Sequence, residues 1–365
     1  MRKNYLDNIR WATIILVVLF HVFFYFNNIG VDAIFEDLPA YNDNSAMTFP
    51  GIYQYVVYPW FMTLLFVVAG ISAYHALQKK TSKEFMKERR FKLLVPSTFG
   101  VIAFGWMTGG ILSIVCAGDA LKDTPLFVRY LIATMSGTGA LWFIQVLFIV
   151  SWILTLVRKV VLKFHKEELF VITSKKTAYI VLVLMFFAIW GTSNILNPPL
   201  IESYRFGIYT TAFLLGYYVF SQDIIIEILE KWKFVNVIAT LLCGAAFVIS
   251  SYGTYYGHAS LLGSFKANIY TFFMILAIFG IFKAFFDKRN NISAFLSRIS
   301  FDVYVLHIPL FVITLYLLSF TNLSVVVKYL ILLPVGYVLT PFLGLVIEKI
   351  PVIRFLVLGI NKKKI

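Results

Sequence analysis

Long apolar runs separated by short polar segments fill the chain from end to end. A helix needs about 20 mostly apolar residues to cross the hydrocarbon of a bilayer. Ten runs predict spans at Trp11 to Phe26, Tyr55 to Leu77, Phe91 to Val115, Leu141 to Leu162, Ala178 to Leu196, Phe206 to Phe220, Phe234 to Ser251, Ile269 to Phe286, Ser300 to Phe320 and Val325 to Val346. The runs are continuous, whereas barrel strands alternate apolar and polar positions. The expected fold is therefore all-α, with about ten transmembrane helices. The sixth run is the least regular: it is short, and Gly207 and Gly216 interrupt it. The first run starts with Arg2 and Lys3, as a secretory leader does, but Tyr25-Phe26-Asn27-Asn28 follows with no small-residue cleavage pattern, so it reads as a retained helix.

Charge gives the polar segments a direction. Lys and Arg collect in cytoplasmic loops. Of the 32 basic residues, 27 fall in one alternating set of segments, including Lys79 to Lys92, Arg158 to Lys176 and Lys349 to Lys364. The other set holds five: Lys122, Arg129, Arg205, Lys266 and Lys328. That alternation predicts an even number of spans with both termini cytoplasmic. The segment from Asn27 to Gln54 carries Asp32, Glu36, Asp37 and Asp43 without a basic residue and is expected outside. Composition agrees with the bilayer as solvent: 60% of residues are hydrophobic and 14% charged, against about 25% charged in soluble domains. Topology explains the net charge of +14, so no nucleic-acid partner is expected. No loop is long enough for a separate domain, and residues 1–365 read as one integral membrane domain. Cys116 and Cys243 lie at or within spans and imply no disulfide framework. No CxxC, HExxH, P-loop or GxSxG motif occurs, which leaves metal, nucleotide-hydrolysis and hydrolase-elbow chemistry without their residues.

An ionisable residue within a span is costly and marks a functional candidate. His21 lies about ten residues into the first span, roughly 15 Å deep at 1.5 Å per residue. Arg10 stands at the cytoplasmic mouth of the same helix. Eleven residues at about 100° each return to within about 20° of the start, so Arg10 and His21 share one face roughly 16 Å apart. Asp7 falls near that stripe if the helix reaches back to it, where it could orient Arg10 or simply favour the helix dipole. A lone intramembrane histidine is commonly a neutral hydrogen-bonded residue, and the alignment with Arg10 makes a catalytic one an equal reading. Imidazole kept from water favours its neutral form, which can accept a proton from a hydroxyl.

Tyr5-Leu-Asp-Asn-Ile-Arg10, followed by ten residues and His21, resembles the opening helix of the membrane-bound acyltransferase type 3 family. Phe66-Val-Val-Ala-Gly70, Arg89-Arg-Phe-Lys-Leu-Leu-Val-Pro96, Leu141-Trp142-Phe143 and Ser300-Phe-Asp-Val-Tyr304-Val-Leu-His307 resemble further segments of that family in order. The likeness runs from about residue 5 to residue 345 and is nearest to stand-alone members related to the glucan succinyltransferase. Two positions depart from the pattern. Lys92 stands where the third-helix motif has a second arginine, replacing a bidentate fork by a point charge. Ala140 replaces a polar residue often found before Leu-Trp-Phe.

The resemblance implies transfer of an acyl group, most commonly acetyl, from cytoplasmic acyl-coenzyme A to a hydroxyl of a cell-surface or exported carbohydrate. It implies a multi-pass protein of the cell membrane, with no tightly bound cofactor and no metal. His21 is then the expected general base. Arg10, Arg89 and Lys92 are expected at the donor's phosphates, although positive-inside charge explains most of the Lys79 to Lys92 run. Asp7 would orient Arg10. Tyr304 could donate to an oxyanion or pack, and Trp142 could stack on a sugar or pack on lipid. His307 reads first as a structural hydrogen-bonding residue, Asp302 as the partner of a basic loop residue and His75 as interfacial. His165 and His258 carry no signal in loops. Glu202 and Arg205 are expected as an external surface pair that could touch an acceptor. With no attached esterase-like domain in the sequence, a final glycan hand-off would need a partner. The competing class is a transporter or flippase for a glycan, against which stand the lack of an inverted repeat and the few charges within spans.

Overall fold

The computed structural model describes residues 3–26, 44–117, 122–164, 171–196 and 205–361. Glu202, His165 and the acidic run Asp32 to Asp43 lie outside the described residues. Among the described residues every regular element is helical. Nine helices among the described residues are long and apolar enough to cross a membrane: α1 (Asn4–Phe24), α2 (Phe49–Leu77), α3 (Ser82–Ile114), α5 (Leu141–Lys163), α6 (Lys175–Thr192), α9 (Lys233–Ser251), α10 (Phe265–Phe285), α11 (Asn291–Leu318) and α12 (Val325–Ile347). Between them lie the short apolar α4 (Leu126–Ser136) and the pair α7 (Phe206–Tyr218) and α8 (Asp223–Lys231), with α13 (Pro351–Leu358) at the end.

The sixth predicted span differs most from expectation. It folds as α7 and α8, which meet at an angle of 101° and make up a tenth span only if counted together. The 13 residues of α7 reach about 20 Å, short of a hydrocarbon core about 30 Å thick. The glycines there do not interrupt the helix; they let it pack. A Cβ on Gly216 would lie 2.2 Å from the Val67 carbonyl oxygen, and one on Gly70 would lie 2.1 Å from that of Phe213. Small residues that allow such backbone approach are the usual cement of helices in lipid, where apolar burial against a partner gains little over burial in lipid. The pairing carries α7 into the interior beside α2, the most enclosed of the spans.

Several helices start earlier than their apolar runs, α2 at Phe49 and α11 at Asn291 among them. The first begins at Asn4 rather than Trp11, which brings Asp7 into the helix. The third begins at Ser82, where Thr81 and Glu84 form a reciprocal capping box, and so carries the Arg89 to Lys92 cluster as helix. Within α3 the turn Arg90–Leu94 is π-helical, just before Pro96. Proline has no N–H for the carbonyl four residues back, and a widened turn absorbs that mismatch. A second π turn follows at Val101–Gly105. Aromatic packing ties α1 to α2, with Phe20 in ring contact with Tyr58, Phe61 and Tyr256, and Tyr58 with Tyr256.

Candidate active site

Two cavities open on the faces of α1. The first, of about 730 Å³, is lined by Arg10, Ser72, Glu88, Arg89, Lys92 and Arg298 among apolar residues of α2, α5 and α11. The second, of about 490 Å³, is lined by His21, Trp142, Arg205, Tyr209, Tyr255 and Tyr256, with the segment Ser136 to Ala140 along one side. Tyr304 lines both. Arg10 and His21, on one stripe of one helix, thus face different chambers.

The cationic chamber brings together four basic side chains from three helices. Arg10 donates from Nη1 to Asp7 at 3.1 Å and from Nη2 to the Ser72 hydroxyl at 3.0 Å, so its guanidinium is held in one orientation by a carboxylate and a neighbouring helix. Arg89 is half-buried, its guanidinium 4.8 Å above the Phe85 ring. Both Arg89 and Lys92 line the chamber, while Arg90 between them is exposed and lies over Phe91. Glu88, the chamber's carboxylate among the described residues, is turned to Lys80 at 2.5 Å. Arg298 joins from α11, paired with Glu348 at the C-cap of α12. The chain closes this chamber after α13: Gly359, in the left-handed region at φ +64°, lets the last residues turn back, and a Cβ there would sit 2.6 Å from the Phe91 carbonyl oxygen. Gly359, Ile360 and Asn361 line the chamber as a result.

The second chamber is aromatic and holds the histidine. Trp142 is half-buried and stacks on Tyr209 with ring centroids 5.4 Å apart. His21 Nδ1 lies 2.8 Å from the Val17 carbonyl oxygen and 3.3 Å from Nε2 of His307. His307, fully buried on α11, places its own Nδ1 3.0 Å from the Val303 carbonyl oxygen. A carbonyl can only accept, so both rings carry the proton on Nδ1. His21 Nδ1–H is then shared between Val17 and the lone pair of His307 Nε2. Its own Nε2 keeps a lone pair and has no protein partner among the described residues. The chain thus provides an imidazole fixed in the tautomer a base requires, with a second imidazole behind it.

Several residues stand elsewhere than the sequence suggested. His307 pairs with His21, which the pattern around it did not signal; histidines 286 positions apart gave only the hint that both lie within spans. Arg205, expected at the surface, is 5% exposed and lines the aromatic chamber. Arg298 was visible only as one basic residue among many. Tyr304 donates its hydroxyl to the Ala140 carbonyl at 2.5 Å, so its one proton is committed. Asp302, expected to partner a basic loop residue, is buried in α11 one turn from Arg298 and acts on its charge. His75 occupies the last turn of α2, half-buried against Tyr74. Among the described residues no cluster of His, Cys, Asp and Glu is suited to a metal.

The family model described as an acyltransferase domain, acyltransferase 3, matches residues 3–349. Neither the curated proteins nor the solved structures include a match.

Proposed function

The chain belongs to the acyltransferase 3 family and is an acyl-transferring enzyme built of multiple membrane-spanning helices, and from that premise we propose that it transfers an acyl group from acyl-coenzyme A to a carbohydrate hydroxyl. Acetyl is the first candidate for the group, and the carbohydrate is a cell-surface or exported one. The cationic chamber takes the donor from the cytoplasm, the aromatic chamber takes the acceptor, and the protein resides in the cell membrane with both termini inside. The observation that carries this reading is the pair of chambers that share Tyr304, one lined by four basic residues and the other by His21.

Arg10, Arg89 and Lys92 meet the phosphates of coenzyme A, with Arg298 beside them. Charge-assisted bonds from guanidinium to phosphate are among the strongest available, and Asp7 and Ser72 set the fork of Arg10 for them. The pantetheine arm follows the face of α1 from Arg10 towards His21, about 16 Å along the helix. In the other chamber, Trp142 and Tyr209 offer their ring faces to the sugar. The acceptor hydroxyl attacks the thioester carbonyl while His21 Nε2 takes its proton. The carbon–sulfur bond breaks, and the proton passes on to the leaving thiolate, leaving the sugar ester and free coenzyme A. As His21 becomes an imidazolium, Val17 and His307 accept from its Nδ1–H. Tyr304 forms the partition at which the two substrates meet. An oxyanion role for it requires its hydroxyl to leave Ala140.

The test is chemical analysis of surface glycans from cells with and without the chain. Ester-linked acyl groups should disappear from one glycan in the deleted strain and return with the intact gene. Identical glycan acylation in the two strains would refute the reading.

A further inference from the structure

Arg205 occupies the N-cap of α7. That position favours Ser, Thr, Asp or Asn, whose oxygens accept from the first free N–H groups, and the end of the helix carries roughly half a positive charge. A guanidinium has donors only and adds a full charge of the same sign. It makes no capping bond. It is nonetheless 5% exposed. Its contacts among the described residues are neutral: Nη2 donates to the Leu262 carbonyl at 3.3 Å, and the Tyr209 hydroxyl lies alongside. Nε is buried with no hydrogen-bond partner among the described residues. No Asp or Glu lines this chamber among those residues. A buried charge normally has an opposite charge beside it, since desolvation is otherwise uncompensated. Here a full and a partial positive charge converge on one wall of an aromatic cavity, with donor capacity left over.

We propose that the acceptor chamber receives a negatively charged sugar unit, whose carboxylate or phosphate is held by Arg205 at the N-terminus of α7. The inference rests on reading this chamber as the acceptor site, and it narrows the acceptor class from carbohydrates in general to acidic ones. Arginine suits both anions through its planar fork. With the anion fixed at Arg205 and the ring against Trp142 and Tyr209, a hydroxyl is presented towards His21.

The test uses the full chain in lipid nanodiscs, with the cationic chamber saturated by coenzyme A so that it cannot bind the probe. Binding is measured for a galacturonic acid trisaccharide, for its carboxyl-reduced counterpart and for galactose 6-phosphate, which separates carboxylate from phosphate. At least one acidic probe should bind tenfold or more tightly than the neutral one, the scale of a charge-assisted hydrogen bond. Arg205→Met should abolish that preference, and Arg205→Lys should keep part of it if the methionine variant folds poorly. No acidic preference, or a preference that survives in Arg205→Met, overturns the proposal. So does a melting temperature that falls equally in Glu202→Gln and Arg205→Met without anion selectivity, the pattern of an internal ion pair. The two readings fail separately. Acidic preference without acetyl transfer from acetyl-coenzyme A removes the acyl-transfer mechanism alone, and transfer without acidic preference removes the anion site alone.

Discussion

The two chambers lie on one helix and are built on opposite principles. The cationic one gathers charge at the end of the bundle where basic residues are already abundant, and each guanidinium has a carboxylate, hydroxyl or ring at hand: Asp7 and Ser72 for Arg10, Phe85 for Arg89, Glu348 for Arg298. The aromatic one holds a single formal positive charge among its described lining residues and one histidine, backed by a second, each tied to its own helix. In the first, on the proposed function, many similar groups would share the binding of one polyanion, so removing one would leave the rest. In the second, each polar group has one task and no substitute. The contrast teaches that damage should be graded in the cationic chamber and abrupt in the aromatic one.

The abrupt case is His21. Asparagine can hydrogen-bond but cannot take the proton, and a general base typically contributes 10²- to 10⁴-fold to rate. His21→Asn should lower acyl transfer by about 10²-fold or more, while affinity for acyl-coenzyme A and the melting temperature in detergent stay near those of the parent chain. Glycan acylation in membranes, scored beside both controls, measures it. Full activity in a well-folded His21→Asn protein returns the residue to a structural role.

The graded case is the donor cluster. Arg10→Ala and Arg89→Ala should each weaken binding of acyl-coenzyme A by about ten- to a hundredfold, the range of a lost charge-assisted bond. Lys92→Ala should cost less, because lysine is a point charge and this one is solvent-exposed. Titration calorimetry on purified protein reads all three. Equal affinity in Arg10→Ala, Arg89→Ala and the parent would show that phosphate recognition lies elsewhere and that positive-inside charge alone accounts for the cluster.

The cationic chamber was the more legible of the two. Arg10, Arg89 and Lys92 lie within short stretches, and a local rule places the first of them: eleven helical residues set Arg10 and His21 on one stripe, although α3 begins at Ser82, ahead of the basic run. The π turn was not legible, because it arises from proline's missing N–H inside a continuing helix and leaves no periodic trace. The aromatic chamber depends on contacts between distant elements. His307 meets His21 only because α11 crosses α1, and a helix-period pattern says nothing about which histidine faces which. Arg205 misled for a related reason. A short apolar run preceded by charge reads as a surface boundary, but Gly70 and Gly216 draw α7 inward against α2 and carry its first residue into the cavity. Long spans announce themselves by hydropathy, whereas a 13-residue helix sunk among others has no such signature.

The smallest expected effect tests whether the aromatic chamber is as indivisible as it looks. His307 Nε2 lies 3.3 Å from His21 Nδ1, at the long end of a hydrogen bond, and Val17 already accepts from the same proton at 2.8 Å. On the proposed mechanism His307 is therefore a positioning residue whose contribution grows when His21 becomes a cation, as a bond to a charged group outweighs one between neutral groups. His307→Phe keeps a ring in the fully buried site and removes the acceptor. It should lower kcat by about tenfold, with KM for both substrates unchanged. His307→Gln, which can still accept through its amide oxygen, should recover part of the loss. The deciding measurement is the double variant. If His307 acts through His21, adding His307→Phe to His21→Asn should change the residual rate by less than about twofold, since coupled residues are strongly non-additive. A tenfold further loss in the double variant, or a kcat that merely follows the folded fraction, would show that His307 supports the packing of α11 on α1 and has no part in the proton's path.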